Sequence, residues 1–229
     1  IAYCTFLIMP VKAVLVDLDN TLYEYEKCNN AGLDAIFSSL SSIFNKPKET
    51  IKETFHESRR KVKLQLKDTA PSHSRFLYFQ KMIESLKGRT DIELTQKIHS
   101  LFWDAYLNEM KLFDGLIDFF KQLKEMGIKI AIVSNLTADI QFRKLGKLGI
   151  DNYVDFVVTS EEAGQDKPAN PIYLLALEKL GLQKDEAIFI GDELETDIQG
   201  AKELGLKYVH VNNGDFKAVI DSFKKLNSL

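Results

Sequence analysis

Residues 11–23 read VKAVLVDLDNTLY, an apolar, β-branched run that ends abruptly in two aspartates spaced i, i+2. Val14, Leu15 and Val16 have the character of a short strand buried on both faces of a parallel sheet. A buried strand does not tolerate carboxylates, so Asp17 and Asp19 must lie at or beyond its C-terminal end, where open α/β sheets keep their ligands. Two carboxylates this close repel each other, and holding both ionised needs a cation or a shared proton. Hard oxygen ligands favour Mg²⁺. In a metal-bound arrangement one carboxylate can attack phosphorus while the other, two residues on, is placed for proton transfer. A short D-x-D-x-T motif is equally the signature of a polar turn, and only partners downstream decide between the two.

The 229-residue length allows one domain, or one domain carrying a large insertion. With 45% hydrophobic and 28% charged residues and a net charge of −3, the chain is not disordered, and no basic footprint points to a nucleic-acid polymer. Cys4 and Cys28 form no disulfide framework and no zinc pattern, which fits a reducing, cytoplasmic setting. The apolar opening is too short to span a bilayer, so no membrane partner is expected. Residues 1–10 read as a leader segment, with Met9-Pro10-Val11 as the more natural start.

After Tyr23 the periodicity turns helical for almost ninety residues. Leu33, Ile36, Leu40 and Ile43 mark one helix, and Ile51, Phe55, Val62 and Leu66 a second. Phe76, Phe79, Ile83 and Leu86 mark a third, and Leu94, Ile98, Leu101 and Ala105 a fourth, with Thr90 and Glu93 as its capping box. From Phe113 helix and strand alternate, with strands expected at residues 128–133, 154–158, 187–190 and 207–211 and helices between them. Alternation of this kind implies right-handed crossovers and a parallel sheet covered on both faces. The expected fold is therefore α/β, a Rossmann-like parallel core of residues 11–22 and 112–229 with an all-helical cap of residues 23–111 inserted over the strand ends. A lid belongs there.

Three further polar stations fall on strand ends. Ser134-Asn135 follows the second strand, Lys167-Pro168 lies in a loop before a helix, and Gly191-Asp192 follows a later strand and leads to Asp197. A hydroxyl with adjacent backbone N–H groups can hold phosphate oxygens, a lysine can neutralise a transferring phosphoryl group, and a second acidic cluster can complete a metal site. Asp192 and Asp197 carry a constraint. Five residues on a continuous helix rotate by about 140° net, so part of residues 191–196 must be loop if both carboxylates face one ion.

These four stations, in this order, resemble the motifs of the haloacid dehalogenase superfamily. Asp17-Leu18-Asp19-Asn20-Thr21 is similar to the first motif, Ser134 to the second, Lys167 to the third and Gly191-Asp192 through Asp197 to the fourth. The resemblance implies a Mg²⁺-dependent phosphoaspartyl mechanism. Asp17 would be nucleophile and metal ligand, and Asp19 the acid and base that also ligates through its backbone carbonyl. Asp192 would complete the metal site, with Asp197 supporting it and Lys167. Ser134, Asn135, Lys167 and the backbone of Leu18 would hold the phosphoryl oxygens. Dehalogenase members do not keep an acid at the position of Asp19, because halide departs without a proton, so the phosphatase branch is expected. A phosphosugar mutase uses the same acid, although its first motif commonly reads D-x-D-G where this chain has Asn20. A receiver-like signalling module is the non-catalytic alternative.

Residues 48–89 hold eleven Lys or Arg against five Asp or Glu, so an anionic substrate would be attracted to the insertion. Arg59, Arg60, Lys61 and Lys63 read as a solvated helix face. His73 and Arg75, at an interruption between helices, are the better candidates for touching substrate. The expected partner is a small phosphorylated metabolite, a sugar phosphate or a nucleoside monophosphate, acted on by a monomer or homodimer.

Overall fold

The computed structural model describes residues 11–212 and 214–228; the leader reading of residues 1–10 lies outside them. Five parallel strands form one sheet in the order β3-β2-β1-β4-β5. They are β1 (Ala13–Val16), β2 (Lys129–Ser134), β3 (Phe156–Thr159), β4 (Ala187–Gly191) and β5 (Lys207–His210). In the central strands β1, β2 and β4 both faces are buried, as their continuous apolar runs require. Val14, Val16, Ile130, Ile132, Ile188 and Ile190 enter one core, while Ala13, Leu15, Ala131, Val133 and Phe189 enter a second on the opposite face.

Register sets the height of the strand ends. Val16 pairs with Ile132 on one side and Ile190 on the other, so Asp17, Ser134 and Asp192 all emerge at the same edge. The strand order reverses at β1, and the crevice at such a reversal is where α/β sheets hold ligands.

Between β1 and β2 the chain runs through α1 (Tyr25–Phe44), α2 (Lys48–Gln65), a 3₁₀ turn (Ala70–His73), α3 (Arg75–Lys87) and α4 (Ile92–Glu109), then α5 (Leu116–Glu125). The passages into and out of this helical block lie side by side. Tyr23 bridges to Leu112, and the Phe113 N–H donates to the Leu22 carbonyl. Ile36, Leu40, Ile51, Phe55 and Val62 are buried as the spacing requires, but Ile43 and Phe76 are exposed. The buried face of α4 is Ile98, Phe102, Trp103 and Tyr106, shifted from the expected stripe because aromatic side chains take the inner positions. Its N-cap is Asp91, whose carboxylate accepts the Leu94 N–H; Thr90 turns its hydroxyl to Glu84 instead.

After β2 follow α6 (Ala138–Leu148), α7 (Ser160–Ala163), α8 (Asn170–Leu180), α9 (Gln199–Leu204) and α10 (Phe216–Ser228). β3 starts two residues later than expected. The Asp155 carboxylate takes the Ile130 N–H just before pairing begins, so that segment enters the sheet through a side chain. α10 had no counterpart in the sequence reading, yet Phe216, Val219 and Phe223 are buried at helical spacing, with both rings against Phe119. No helix among the described residues is long and apolar enough to cross a membrane.

Candidate active site

A cavity of about 600 Å³ opens at the sheet edge between β1, β2 and β4 and is walled on its far side by residues of the helical block. Its floor is the turn after β1. Asp17 is 5% exposed, and its backbone N–H is fixed by the Ile190 carbonyl of β4. Asn20 sits in the left-handed region at φ 61°, which Asn tolerates because its short amide can bond locally. Its Oδ1 accepts the Tyr25 N–H, 3.0 Å away. Asn20 therefore meets the same backbone demand that glycine would, and its difference from D-x-D-G carries no information about the reaction.

Asp17, Asp192 and Asp197 bring one carboxylate oxygen each to within 4.8 Å of one another. The chain solves the rotation problem of the last two in the way the spacing demanded. Glu193 is extended, and residues Leu194–Ile198 form a single wide turn, with the Ile198 N–H bonded to Glu193 O five residues back. Gly191 makes room for the result, since a Cβ there would meet the Asp197 Cγ at 2.7 Å. Thr21 ties the first and last acidic segments together by donating to Asp192 Oδ1 at 3.0 Å.

Lys167, buried at the centre, reaches Asp17 Oδ1 at 2.6 Å and Asp197 Oδ1 at 2.7 Å and also donates to the Val133 carbonyl. One ammonium facing three carboxylates leaves the cluster short of positive charge. Burial, opposed by Lys167 and reinforced by Asp197, pushes Asp17 up to about 8; burial with the Asp197 charge raises Asp192 to about 6. A divalent cation would relieve the same crowding, and a donor set of hard carboxylate oxygens suits Mg²⁺.

Ser134 is buried and accepts from Gln141 Nε2 at 2.7 Å. The Asn135 amide is committed to the backbone of Lys167, with Oδ1 accepting its N–H at 2.7 Å and Nδ2 donating to its carbonyl at 3.3 Å. Asn135 thereby holds the Lys167 loop in place. Leu18 is fully buried in the core and is not among the residues lining the cavity.

His73 and Arg75 both line the cavity, but neither hangs free in it. His73 Nε2 bonds Asp166 Oδ2 at 3.0 Å, and its Nδ1 lies 3.3 Å from Lys63 Nζ. The Asp166 N–H donates to Asp68 O, so the turn between α2 and α3 rests on the loop that carries Lys167. Arg75 lies over the rings of Tyr78 and Phe102 and donates to the Tyr25 hydroxyl and His73 O. Arg60 and Lys61 pair with Glu57 on the exposed face of α2, as expected of a solvated stripe, whereas Lys63 departs from that stripe and is half-buried against His73.

The sequence reading missed a second buried lysine. Lys144, on α6, is 1% exposed and places its ammonium 2.8 Å from both Asp19 oxygens. Tyr23 donates to Asp19 Oδ1, and the Tyr23 and Tyr106 hydroxyls are bonded at 2.5 Å. Burial lowers the Lys144 pKa against the raising pull of Asp19, and it drives both tyrosines well above their ordinary range. Ile140, Gln141, Lys144 and Leu145 are the buried face of α6. A Gln and a Lys at i, i+3 inside an apolar stripe were the signal available in the sequence.

Comparison with known proteins finds relatives that span most of the chain. The chain matches the family model described as haloacid dehalogenase-like hydrolase over residues 14–211. It is 42% identical over 198 residues to the ribulose-1,5-bisphosphate 5-phosphatase of Halopiger xanaduensis, spanning 86% of this chain and 83% of that protein. Identity to the glyceraldehyde 3-phosphate phosphatase of Methanopyrus kandleri is 30% over 207 residues, 90% of this chain and 86% of that one. Among solved structures, a HAD phosphatase from Thermococcus onnurineus superposes with a TM-score of 0.72 at 27% identity, covering 90% of this chain and 88% of its own.

Proposed function

The chain belongs to the haloacid dehalogenase-like hydrolases, and from that premise we propose that it is a Mg²⁺-dependent phosphomonoesterase that works through an aspartyl-phosphate on a small sugar phosphate. The observation that carries the reading is the meeting of Asp17, Asp192, Asp197 and Lys167 at the strand-order reversal. Asp19 beside it favours an oxygen leaving group over halide, because it can supply the proton an alkoxide needs. The sugar phosphate is favoured by relatives named as phosphatases of ribulose 1,5-bisphosphate and glyceraldehyde 3-phosphate.

Asp17 Oδ1 is taken by Lys167, which leaves Oδ2 to attack phosphorus. Lys167 offsets the repulsion between this anion and the phosphoryl group. Ser134 and backbone N–H groups of the β1 and β2 turns hold the phosphoryl oxygens, and Asp19 protonates the leaving oxygen and then activates water. Asp17, Asp192, Asp197 and the Asp19 carbonyl would hold Mg²⁺, which would supply positive charge against the charge that develops on the phosphoryl group. Residues 23–111 act as a cap over residues 11–22 and 112–229, with Trp103 and Arg75 in the cavity wall and the His73–Asp166 contact joining the two. His73 serves as that latch, and Arg75 presents its guanidinium to the non-reacting end of the substrate.

The purified protein is expected to release inorganic phosphate from ribulose 1,5-bisphosphate, glyceraldehyde 3-phosphate or other sugar phosphates with Mg²⁺ and to stop with EDTA. Turnover unaffected by chelation contradicts the proposal, and an isomeric phosphate ester in place of free phosphate makes the chain a mutase.

Mg²⁺ binding should also depend on pH in a definite direction. The cluster holds a proton with a pKa of about 8, far above the ordinary carboxylate value of about 4, so the folded chain binds this proton while the unfolded chain has released it. Its contribution to stability is present at low pH and fades as pH rises from about 4 towards about 8. A cation must displace that proton, so the Mg²⁺-induced rise in Tm should be larger at about pH 8.5 than at about pH 6. Equal shifts at both would show that the ion binds elsewhere.

A further inference from the structure

Asp19 has more donors around it than an acid needs. A carboxylate offers about four acceptor sites, two on each oxygen. Oδ1 accepts from Tyr23 and from Lys144, and Oδ2 accepts from Lys144. Both sites on Oδ1 are filled and one on Oδ2 remains. The ammonium is itself pinned, with Lys144 buried to 1% exposure and lying over the rings of Trp103 and Tyr106 at 5.8 and 5.5 Å. Tyr23 is pinned in turn by the Tyr106 hydroxyl of α4. A buried lysine on a helix needs only one partner for its charge; two equal 2.8 Å contacts fix the plane of the carboxylate as well.

Resting on the phosphatase reading above, we infer that Lys144 is a positioning residue that clamps Asp19 so that Oδ2 alone exchanges a proton with the leaving oxygen. The bond from Asp17 to phosphorus forms as the ester P–O bond breaks, and the departing oxygen takes the proton from Oδ2. In the second half, water bonds phosphorus and returns one proton to Oδ2, while the Asp17–phosphorus bond breaks. Lys144 stays protonated and touches neither phosphate nor substrate. Trp103 and Tyr106 belong to the helical block, so the clamp is complete only when that block stands over the core.

A residue that orients an acid matters most when the leaving group is most basic, which a merely structural residue would not discriminate. The test is kcat/KM for p-nitrophenyl, phenyl and benzyl phosphate with Mg²⁺, in order of increasing leaving-group basicity. Lys144→Met is expected to lower the benzyl value about 100-fold and the p-nitrophenyl value only a few-fold. In an Asp19→Asn background the same substitution should add nothing on benzyl phosphate, because the two act as one unit. Uniform loss across the three esters overturns the inference, as does full additivity with Asp19→Asn. If the Met variant does not melt cooperatively, Lys144→Gln is read on the same series with the same criteria. A wild-type protein inert towards all three esters overturns the phosphatase reading itself, whereas an active wild type with uniform loss in the variant overturns the clamp alone.

Discussion

Asp17→Asn is expected to lower kcat by on the order of 10⁴-fold or more while the protein keeps its fold. The size follows from what the substitution removes. An amide is not a nucleophile towards phosphorus, and the neighbouring carboxylates have other duties: Asp192 and Asp197 are the other two members of the acidic cluster, and Asp19 is held by Lys144 and Tyr23. The fold should survive because Asn is nearly isosteric, the backbone N–H still reaches Ile190 O, and Lys167 keeps Asp197 at 2.7 Å and the Val133 carbonyl. Because the cluster already holds a proton near neutral pH, the neutral amide changes its charge little there, so the variant without Mg²⁺ should melt close to the wild type. Steady-state phosphate release and a thermal melt read the two halves separately. A variant that keeps a tenth of wild-type turnover would mean the covalent step does not pass through Asp17.

Much of this site was legible because its chemistry has a local signature. Asp17, Asp19, Ser134 and Asp192 sit where an apolar run stops, Lys167 lies in the polar loop before α8, and β1, β2 and β4 are short runs whose ends the alternation marks. The strand-order reversal then gathers them without any information beyond right-handed crossovers. What was not legible lies mostly on helices. Lys144, Gln141 and Tyr106 reach the site through side-chain length and rotamer, and an amphipathic stripe does not record which of its members carries a polar end; Tyr23 reaches it from the bridged segment just before α1. His73 and Arg75 line the cavity from the interruption between α2 and α3, but their partners Asp166 and Tyr25 come from distant parts of the chain. α10 was missed even though its spacing is plain, and its burial depends on Phe119 more than ninety residues earlier.

Lys167→Met should damage both catalysis and stability, in proportions that separate Lys167 from Lys144. Among the described residues Lys167 is the only ammonium paired with Asp17 and Asp197, at 2.6 and 2.7 Å, and it is buried like them. Removing it takes away the charge that lets an anionic nucleophile approach a phosphate, so kcat/KM should fall about 10³-fold. Unlike the Lys144 case, the loss should be the same for p-nitrophenyl and benzyl phosphate, since charge offset does not depend on leaving-group basicity. Breaking a buried pair from one side typically costs about 3–5 kcal/mol, because the abandoned charge stays in a low-dielectric site. Here the cluster has an escape, as its carboxylates already hold a proton at about pH 8 and would take up more. The folded variant then binds more protons than the unfolded chain, so its stability deficit should shrink as pH falls towards about 5 and widen towards about 8. Mg²⁺ should restore part of the deficit at the higher pH by supplying the missing positive charge, without restoring turnover. If Lys167→Met instead keeps near-wild-type kcat/KM on p-nitrophenyl phosphate, the lysine is a structural counter-ion and the charge offset at phosphorus must come from elsewhere in the cavity.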